Sequence, residues 1–192
     1  FFSTPFDQDL STWNVSLVTD MSYMFCLTQA FNQDLSTWNV SNVTNMAAMF
    51  GGATSFDGDI SEWNVSNTTN MSSMFQQTTS FSRDISRWNV ANVTDMSHMF
   101  RASSFDGDIS EWNVGSVTNM EHMFCLTSAF SGDISQWNVG NVTSIAGMFC
   151  HTNQFNGDIS EWNVSNVTDM SGTFCRASVF TGDISLWNVG SV

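Results

Sequence analysis

The chain has 192 residues and a formal net charge of -14 at pH 7, from 18 acidic residues against four arginines and no lysine. So acidic a chain, with no basic patch, makes nucleic acid and anionic membranes poor partners and favours cations or a basic partner. No apolar run approaches the roughly 18 residues of a membrane-spanning helix, so we predict no direct membrane insertion of this segment.

One block of about 25 residues recurs along the whole chain. A representative copy is FNQDLSTWNVSNVTNMAAMFGGATS at residues 31–55, and the block restarts at Phe6, Phe31, Phe56, Phe81, Phe105, Phe130, Phe155 and Phe180. A period of roughly 20 to 50 residues is typical of stacked repeats, called rungs below. We therefore predict one continuous array over residues 1–192. Because neither terminus resembles a polar capping repeat, we expect this array to be a piece of a longer one.

The first predicted element of each rung is a short strand. Leu35, Trp38 and Val40 have the spacing of the leucine-rich-repeat core, with Trp in the second position. Since alternate residues of a strand share a face, W-N-V places Trp38 and Val40 inward and Asn39 outward.

The second predicted element is a short helix or 3-10 turn. Val43, Met46, Met49 and Phe50 lie at i, i+3, i+6 and i+7, the spacing of one apolar helical stripe. The predicted fold is therefore a repeat solenoid of the leucine-rich-repeat type, with one short parallel strand and one short helix or 3-10 turn per rung. So short a unit holds its shape only if identical side chains stack in columns and successive W-N-V strands pair.

The full repeat resembles a known family. The unit F-x-G-D-I-S-x-W-N-V-S-N-V-T-x-M-x-x-M-F is similar to the DUF285 surface-protein repeat, and V-T-x-M-x-x-M-F, as in VTSIAGMF at residues 142–149, resembles the BspA-type leucine-rich repeat. The resemblance covers essentially the whole chain. It implies a secreted or surface-displayed leucine-rich-repeat solenoid used in adhesion and recognition.

A column of eight aspartates, one per rung, has two interpretations. Each Asp, from Asp9 to Asp183, stands two residues before a Ser, which predicts an Asx turn in which the carboxylate accepts main-chain N–H groups. The alternative is a calcium-binding edge, strengthened where Asp57 stands near Asp59 and Asp106 near Asp108. Calcium is the only cofactor that the sequence suggests.

Asparagine recurs at two positions, directly after every Trp and, in five of the eight rungs, three residues later. The Asn after each Trp predicts a ladder of side-chain amides bonded to one another between rungs, and the N-V-S/T pattern predicts glycosylation instead. The glycosylation candidates are Asn42, Asn67, Asn92, Asn141 and Asn166.

Cysteine and histidine positions also recur. Cys125, Cys150 and Cys175 occupy the position after M-F in consecutive rungs, with Thr173 in place of Met in the last, which allows one disulfide between neighbours or a set of reduced buried thiols. His98 and His122 share a position in neighbouring rungs, and we interpret them as surface histidines of the predicted helix, with a transition-metal site as the alternative.

The position before each Trp varies while its neighbours do not. It reads Thr12, Thr37, Glu62, Arg87, Glu111, Gln136, Glu161 and Leu186 along the array. On the concave face of a solenoid such a column is a candidate binding surface, with Asn113, Asn138 and Asn163 beside it.

No nucleophile, base and orienting group stand out from the repeated pattern, so we predict no enzyme. The function we expect is that of a non-enzymatic extracellular or cell-surface protein that acts in adhesion or recognition and binds a protein or glycan ligand. The alternative is a structural subunit of an extracellular fibre, sheath or appendage assembled from copies of itself. A weaker alternative is a calcium-dependent adhesin.

Overall fold

The computed structural model describes residues 1–192 as a stack of turns, with no helix and no extended strand. The only sheet-like pairing consists of isolated parallel bridges, which join one residue of each rung to the equivalent residue of the next. The bridged residues are Asp20, Asn45, Asn70, Asp95, Asn119, Ser144 and Asp169.

Each rung is a succession of tight turns, closed by a hydrogen bond from the N–H of the fourth residue to the carbonyl of the first. In residues 31–56 these turns are 35–38, 40–43, 46–49, 48–51, 50–53 and 53–56, with N···O distances of 2.9 to 3.2 Å across the stack's best-formed copies. The turns close the chain on itself about once every 25 residues, which brings equivalent residues of successive rungs together.

The predicted helix is wrong, although its apolar residues do point inward. Met46, Met49 and Phe50 are fully buried. However, Ala48 has a φ of 51° and Gly52 a φ of 71°, values outside the right-handed helix. The N–H groups of this stretch do not reach back four residues. Alternate ones donate to the next rung, as Ala48 N does to the Ser72 carbonyl at 2.8 Å. The spacing that suggested a helix comes from consecutive turns.

The predicted strand is also wrong, so the fold is not a leucine-rich-repeat solenoid with a strand and a helix in each rung. Trp38 and Val40 are buried and Asn39 is exposed, as the alternation predicted. The Trp38 N–H, however, closes a turn onto the Leu35 carbonyl at 3.0 Å, and no main-chain hydrogen bond joins one W-N-V to the next. Alternation of buried and exposed residues therefore arises here without strand pairing.

The core is a set of side-chain columns that run along the stack. Forty-nine buried residues between Leu10 and Val167 form one apolar cluster. The ring centroid of Phe50 lies 3.9 Å from that of Phe56 and 5.8 Å from that of Phe75, the equivalent residue in the next rung. Both ring pairs are nearly parallel. Offset stacking of this kind repeats from one end to the other, so the inward columns that the sequence predicted are present.

Neighbouring rungs are joined differently on their two sides. We call residues 44–52 and their equivalents the ladder segment, because all main-chain hydrogen bonds between rungs involve it. In one rung Met46 N donates to the Asn70 carbonyl at 2.9 Å and Phe50 N to the Met74 carbonyl at 3.0 Å. The exposed threonines beside it add side-chain bonds, as Thr69 Oγ1 does to the Thr44 carbonyl at 3.2 Å.

We call residues 31–43 and their equivalents the Trp segment, which is joined to the preceding rung by side chains. Trp38 Nε1 donates to the Leu10 carbonyl at 3.1 Å, and Asn42 Nδ2 donates to the Ser16 carbonyl at 2.7 Å. Seven of the eight tryptophans make the equivalent bond, and Trp13, in the first rung of residues 1–192, does not. Trp13 is 47% exposed, whereas Trp112 is 3% exposed.

Candidate functional site

The aspartate column forms the Asx turns that the sequence predicted. Asp108 Oδ1 accepts the Ser110 N–H at 3.0 Å, and Asp133 Oδ1 accepts the Ser135 N–H at 2.9 Å. The same bond occurs at all eight aspartates of the column. One oxygen of each carboxylate is therefore committed to the turn that follows it.

These hydrogen bonds also outweigh the electrostatic repulsion between carboxylates stacked one above another. The Ser110 main-chain N–H and then its hydroxyl lower the pKa of Asp108, and the neighbouring charges of Asp84 and Asp133 raise it by less. The pKa of Asp158 is lowered in the same way by Ser160. Hydrogen bonds to the charged form therefore outweigh the like charges, and Asp108 and Asp158 stay ionised at neutral pH.

The Asn after each Trp also accepts a main-chain N–H from the turn that follows it. The predicted ladder of side-chain amides is therefore wrong. Asn113 Oδ1 accepts the Gly115 N–H at 3.1 Å, Asn138 Oδ1 that of Gly140 at 3.1 Å, and Asn163 Oδ1 that of Ser165 at 3.2 Å. The amide oxygen is used within its own rung, because the chain turns immediately after it.

The five glycosylation candidates are exposed, and each one bonds to the rung before it. Asn67 Nδ2, for example, donates to the Ser41 carbonyl at 2.7 Å. The same contact, at 2.7 to 2.8 Å, is made by Asn42, Asn67, Asn92, Asn141 and Asn166. These amides have a structural role that sequence reasoning missed, although their recurrence at one position was the sign of it. Glycosylation of these residues stays a prediction.

The variable column before each Trp is exposed and loosely held. Glu111 and Glu161 make no hydrogen bond within the chain, and Gln136 makes one of 3.3 Å to its neighbour Ser135. Arg87 approaches Glu62 at 4.0 Å with both side chains largely in water. Thr37 differs from these residues, since its Oγ1 donates to the Ser11 carbonyl at 3.1 Å. The structure leaves the Glu111 and Glu161 side chains free, while the Asp and Asn columns on either side are fixed by turns.

A polar groove lies where the aspartate and variable columns meet in the sixth and seventh rungs from Phe6 onward. It has a volume of about 360 Å³ and no apolar lining residue. Its acidic groups are Asp133, Asp158 and Glu161, with Gln136 beside them. A groove with this charge attracts cationic groups and repels anions.

The two candidate calcium pairs differ in their surroundings. Asp57 Oδ2 forms an ion pair with Arg83 at 2.9 Å, and its Oδ1 accepts the Ser82 N–H at 2.9 Å. An arginine at this distance already neutralises the carboxylate that calcium would need. Asp106 has no cationic partner, and its Oδ1 accepts the Ser131 N–H at 2.8 Å.

Calcium binding stays a prediction, and the geometry directs it to Asp106 and Asp108 rather than to Asp57 and Asp59. One oxygen of each carboxylate is already used in both pairs, but Arg83 opposes a cation only at Asp57 and Asp59, in the third rung. Titration calorimetry with calcium, followed by a chelator, tests this prediction.

A comparison of the sequence with models of protein families identifies the family of the chain. A family model described as "Mycoplasma protein of unknown function, DUF285" matches residues 1–107 and again residues 101–192. The chain belongs to the DUF285 family. No curated protein and no solved structure is significantly similar to it.

The cysteines of this DUF285 chain are all free thiols. Cys125 is buried, Cys150 half-buried and Cys175 exposed, and the three lie in one column, each directly after a Phe. Burial, followed by contact with the other two thiols, raises the pKa of Cys150 to about 11. A thiol so poorly ionised is a weak nucleophile and metal ligand at neutral pH. A disulfide between Cys150 and one neighbour stays a prediction.

The histidines of this DUF285 chain occupy turns and not a helix. His98 has a φ of 57° and His122 a φ of 53°. Their rings stack with centroids 5.1 Å apart and planes at 7° to each other. Glu121 Oε1 lies 3.2 Å from His122 Nδ1. Sequence reasoning saw the shared position of the two histidines but missed Glu121, because only the stacking register brings the three together.

Apolar side chains are exposed at the two ends of this DUF285 stack. In the last turns, Phe174, Ile184, Trp187 and Val189 line an apolar depression of about 370 Å³. In inner rungs the equivalent residues Ile159 and Trp162 are buried by the next rung.

No helix of the structure is long and apolar enough to cross a membrane.

Proposed function

We propose that this DUF285 protein is a non-enzymatic recognition protein that binds a basic protein or glycan ligand along its exposed acidic columns. The contact surface runs through Glu62, Glu111, Gln136 and Glu161, with Asn113, Asn138 and Asn163 at its side. The observation that carries the proposal is the freedom of this variable column between two columns whose side chains are held by turns.

Rigid neighbours favour such a surface energetically. The flanking Asp and Asn side chains are already ordered by hydrogen bonds, so a ligand that contacts them orders few additional groups. Binding loses about 0.5 to 1.5 kcal/mol for each flexible side chain that it immobilises, so pre-ordered columns lower that cost. The net charge of -14 adds long-range attraction for a cationic ligand and raises its association rate.

The proposed location is extracellular or at the cell surface. It rests on the likeness of V-T-x-M-x-x-M-F to BspA-type surface repeats, taken as a relation of sequence and not of the leucine-rich-repeat fold. A recognition surface that repeats every rung suits adhesion, because weak contacts repeated along one rigid body add to a stable attachment.

Charge reversal on the variable column tests the proposal. The variant Glu111→Lys with Glu161→Lys should weaken binding of a lysine-rich test peptide by about fivefold per position, since exposed ion pairs contribute up to about 1 kcal/mol each. The melting temperature should stay unchanged because neither side chain makes an internal bond. The control is Gln77→Lys with Gln154→Lys, two exposed positions off this column. Equal binding by the charge-reversed protein and the unmodified protein removes this face from the proposal.

The second candidate function is that of a structural subunit in an extracellular fibre, sheath or appendage. Its support is the apolar depression lined by Ile184, Trp187 and Val189, which matches the surface that every inner rung presents to the next. A further rung of the same kind, from this chain or from another copy, fits that surface. Electron microscopy of native material discriminates the candidates: regular filaments favour the structural role, and separate particles favour recognition.

A further inference from the structure

The side chains of His98, Glu121 and His122 form a cluster that neither the family assignment nor the proposed recognition surface explains. One nitrogen or oxygen from each residue lies within 4.8 Å of those of the other two. All three residues are half-buried, on the ladder side of the molecule. They belong to two successive rungs, those that start at Phe81 and Phe105.

Main-chain hydrogen bonds hold the cluster in register. His98 N donates to the Glu121 carbonyl at 2.7 Å, and His122 N donates to the Ala146 carbonyl at 2.8 Å. The next residue of the histidine column is Gly147, where an added Cβ would lie 2.5 Å from His122 Nε2. A side chain at Gly147 would therefore displace the His122 ring, so the glycine leaves room for the cluster.

Both histidines occupy a backbone conformation that disfavours them. A positive φ costs a residue other than glycine roughly 1 to 2 kcal/mol. Equivalent positions in other rungs hold Ala48, Ser73, Gly147 and Gly172, so the turn itself does not require an imidazole. Two adjacent imidazoles at strained positions, beside a carboxylate, need a separate explanation.

We propose that His98, Glu121 and His122 bind a divalent transition-metal ion of the zinc type, which joins two successive rungs. Two imidazoles and one carboxylate, with a position left open for water, are a ligand set that zinc uses in proteins. The edge of a tetrahedral zinc site is about 3.3 Å for bonds of 2.0 to 2.1 Å. The Glu121 Oε1 to His122 Nδ1 distance of 3.2 Å already matches that edge. The His98 ring closes the remaining gap by rotation.

The charges around the cluster favour a cation. Glu121 and Asp95 bring negative charge to His98, and Arg101 brings one opposing positive charge. The net charge of -14 adds to this attraction.

Titration of the full chain with zinc, and separately with cobalt, tests the proposal. We expect one zinc per chain, a rise in melting temperature on addition of zinc, and a visible cobalt spectrum of a four-coordinate nitrogen and oxygen site. His98→Ala and Glu121→Gln should each weaken binding by at least about tenfold, because even the loss of a group behind a metal ligand costs 10- to 100-fold.

Two matched variants make the outcome decisive. His151→Ala removes a half-buried histidine at another positive-φ position, with a φ of 58°, and should leave zinc binding unchanged. Cys150→Ser removes the central thiol and should also leave it unchanged. Absence of stoichiometric zinc binding, or zinc binding that follows Cys150 or His151 in place of His98 and Glu121, overturns the proposal.

Discussion

The ladder segment and the Trp segment both join neighbouring rungs, but they do so with different kinds of hydrogen bond. In the ladder segment, main-chain N–H groups bind main-chain carbonyls of the adjacent rung, as Ala48 N does to the Ser72 carbonyl. In the Trp segment no such bond exists, and Trp63 Nε1 and Asn67 Nδ2 join the rungs. Because main-chain bonds do not depend on residue type, side-chain identity matters far more in the Trp segment.

The sequence reflects that difference. One position of the ladder segment holds Ala47, Ser72, Ser97, Glu121, Ala146 or Ser171, whereas Trp, Asn and Val are the same in all eight rungs. An unbroken column therefore marks a side chain that joins rungs, as Trp does, or one that fixes a turn within its own rung, as the Asn after Trp does. A varied column marks either a main-chain tie or a free surface.

The largest expected effect comes from removal of an inner tryptophan. Trp112→Ala should lower the free energy of unfolding by about 3 to 5 kcal/mol, mainly through the cavity, with the lost bond from Trp112 Nε1 to the Ile85 carbonyl as a smaller contribution because that carbonyl keeps the Trp88 N–H. Trp13→Ala is the matched control, because Trp13 is 47% exposed and donates to no preceding rung. Its expected cost is about 1 kcal/mol or less. Chemical denaturation measures both, and equal losses would contradict the role assigned to the Trp column.

The second-largest loss of stability is expected when the side-chain amide of Asn67 in the Trp segment is removed. Asn67→Ala should cost about 1 kcal/mol, since the Ser41 carbonyl loses its donor at 2.7 Å. Asn67→Ser should cost less, because at the equivalent position Ser191 Oγ donates to the Ser165 carbonyl at 2.9 Å. The same denaturation experiment measures this pair. A larger loss for Ser than for Ala would show that the hydrogen bond is not the cause.

Two adjacent alanines of the ladder segment should respond to glycine with opposite signs. Both are buried, but only Ala48 has a positive φ, of 51°. Ala47→Gly should destabilise the chain by about 0.5 to 1 kcal/mol because glycine is more flexible when unfolded. Ala48→Gly should be neutral or stabilising by up to about 1 kcal/mol, since relief of the left-handed strain exceeds that cost.

Thermal unfolding measures the alanine pair. A loss at both alanines would indicate that Ala48 is not left-handed, and would reopen the helix that the spacing of Met46, Met49 and Phe50 first suggested.

How far the sequence predicts this fold depends on what each residue does. The inward columns of Phe50, Trp63 and Val65 follow from apolar spacing alone, and so does the Asx turn at each aspartate. The strand and the helix do not, because consecutive turns produce the same alternation and the same i, i+3, i+7 spacing. Nothing local distinguishes a turn from a helix when a non-glycine residue such as Ser73 takes a φ of 57°.

The candidate sites divide in the same way. The freedom of Glu111 and Glu161 follows from variation along their column. The contact of Glu121 with His98 depends on which residue of one rung faces which residue of the next. That register is set by main-chain hydrogen bonds of the ladder segment, which do not depend on residue type.

The smallest effect per residue is the acid response of the aspartate column. Hydrogen bonds lower the folded-state pKa of Asp108, Asp133 and Asp158 below 3.8, so the folded chain binds protons less readily than the unfolded chain. Their contribution to stability is full above the ordinary pKa and is lost as the pH falls through 3.8 toward the lowered values. Asp108→Asn keeps an oxygen acceptor and should flatten this dependence.

Melting temperatures at a series of acidic pH values check the acid response. An unchanged slope for Asp108→Asn would show that the Asx bond to Ser110 does not favour the charged form.

Amide hydrogen exchange, read residue by residue, tests most directly whether the two sides are joined differently. The ladder amides of Met46, Ala48 and Phe50 should be protected, because each donates to the next rung. The amides of Asn64, Asn89, Asn113 and Asn138 in the Trp segments should exchange rapidly, since none has a partner in the chain. Protection of the Trp-segment amides equal to that of the ladder would indicate paired strands and would contradict the account.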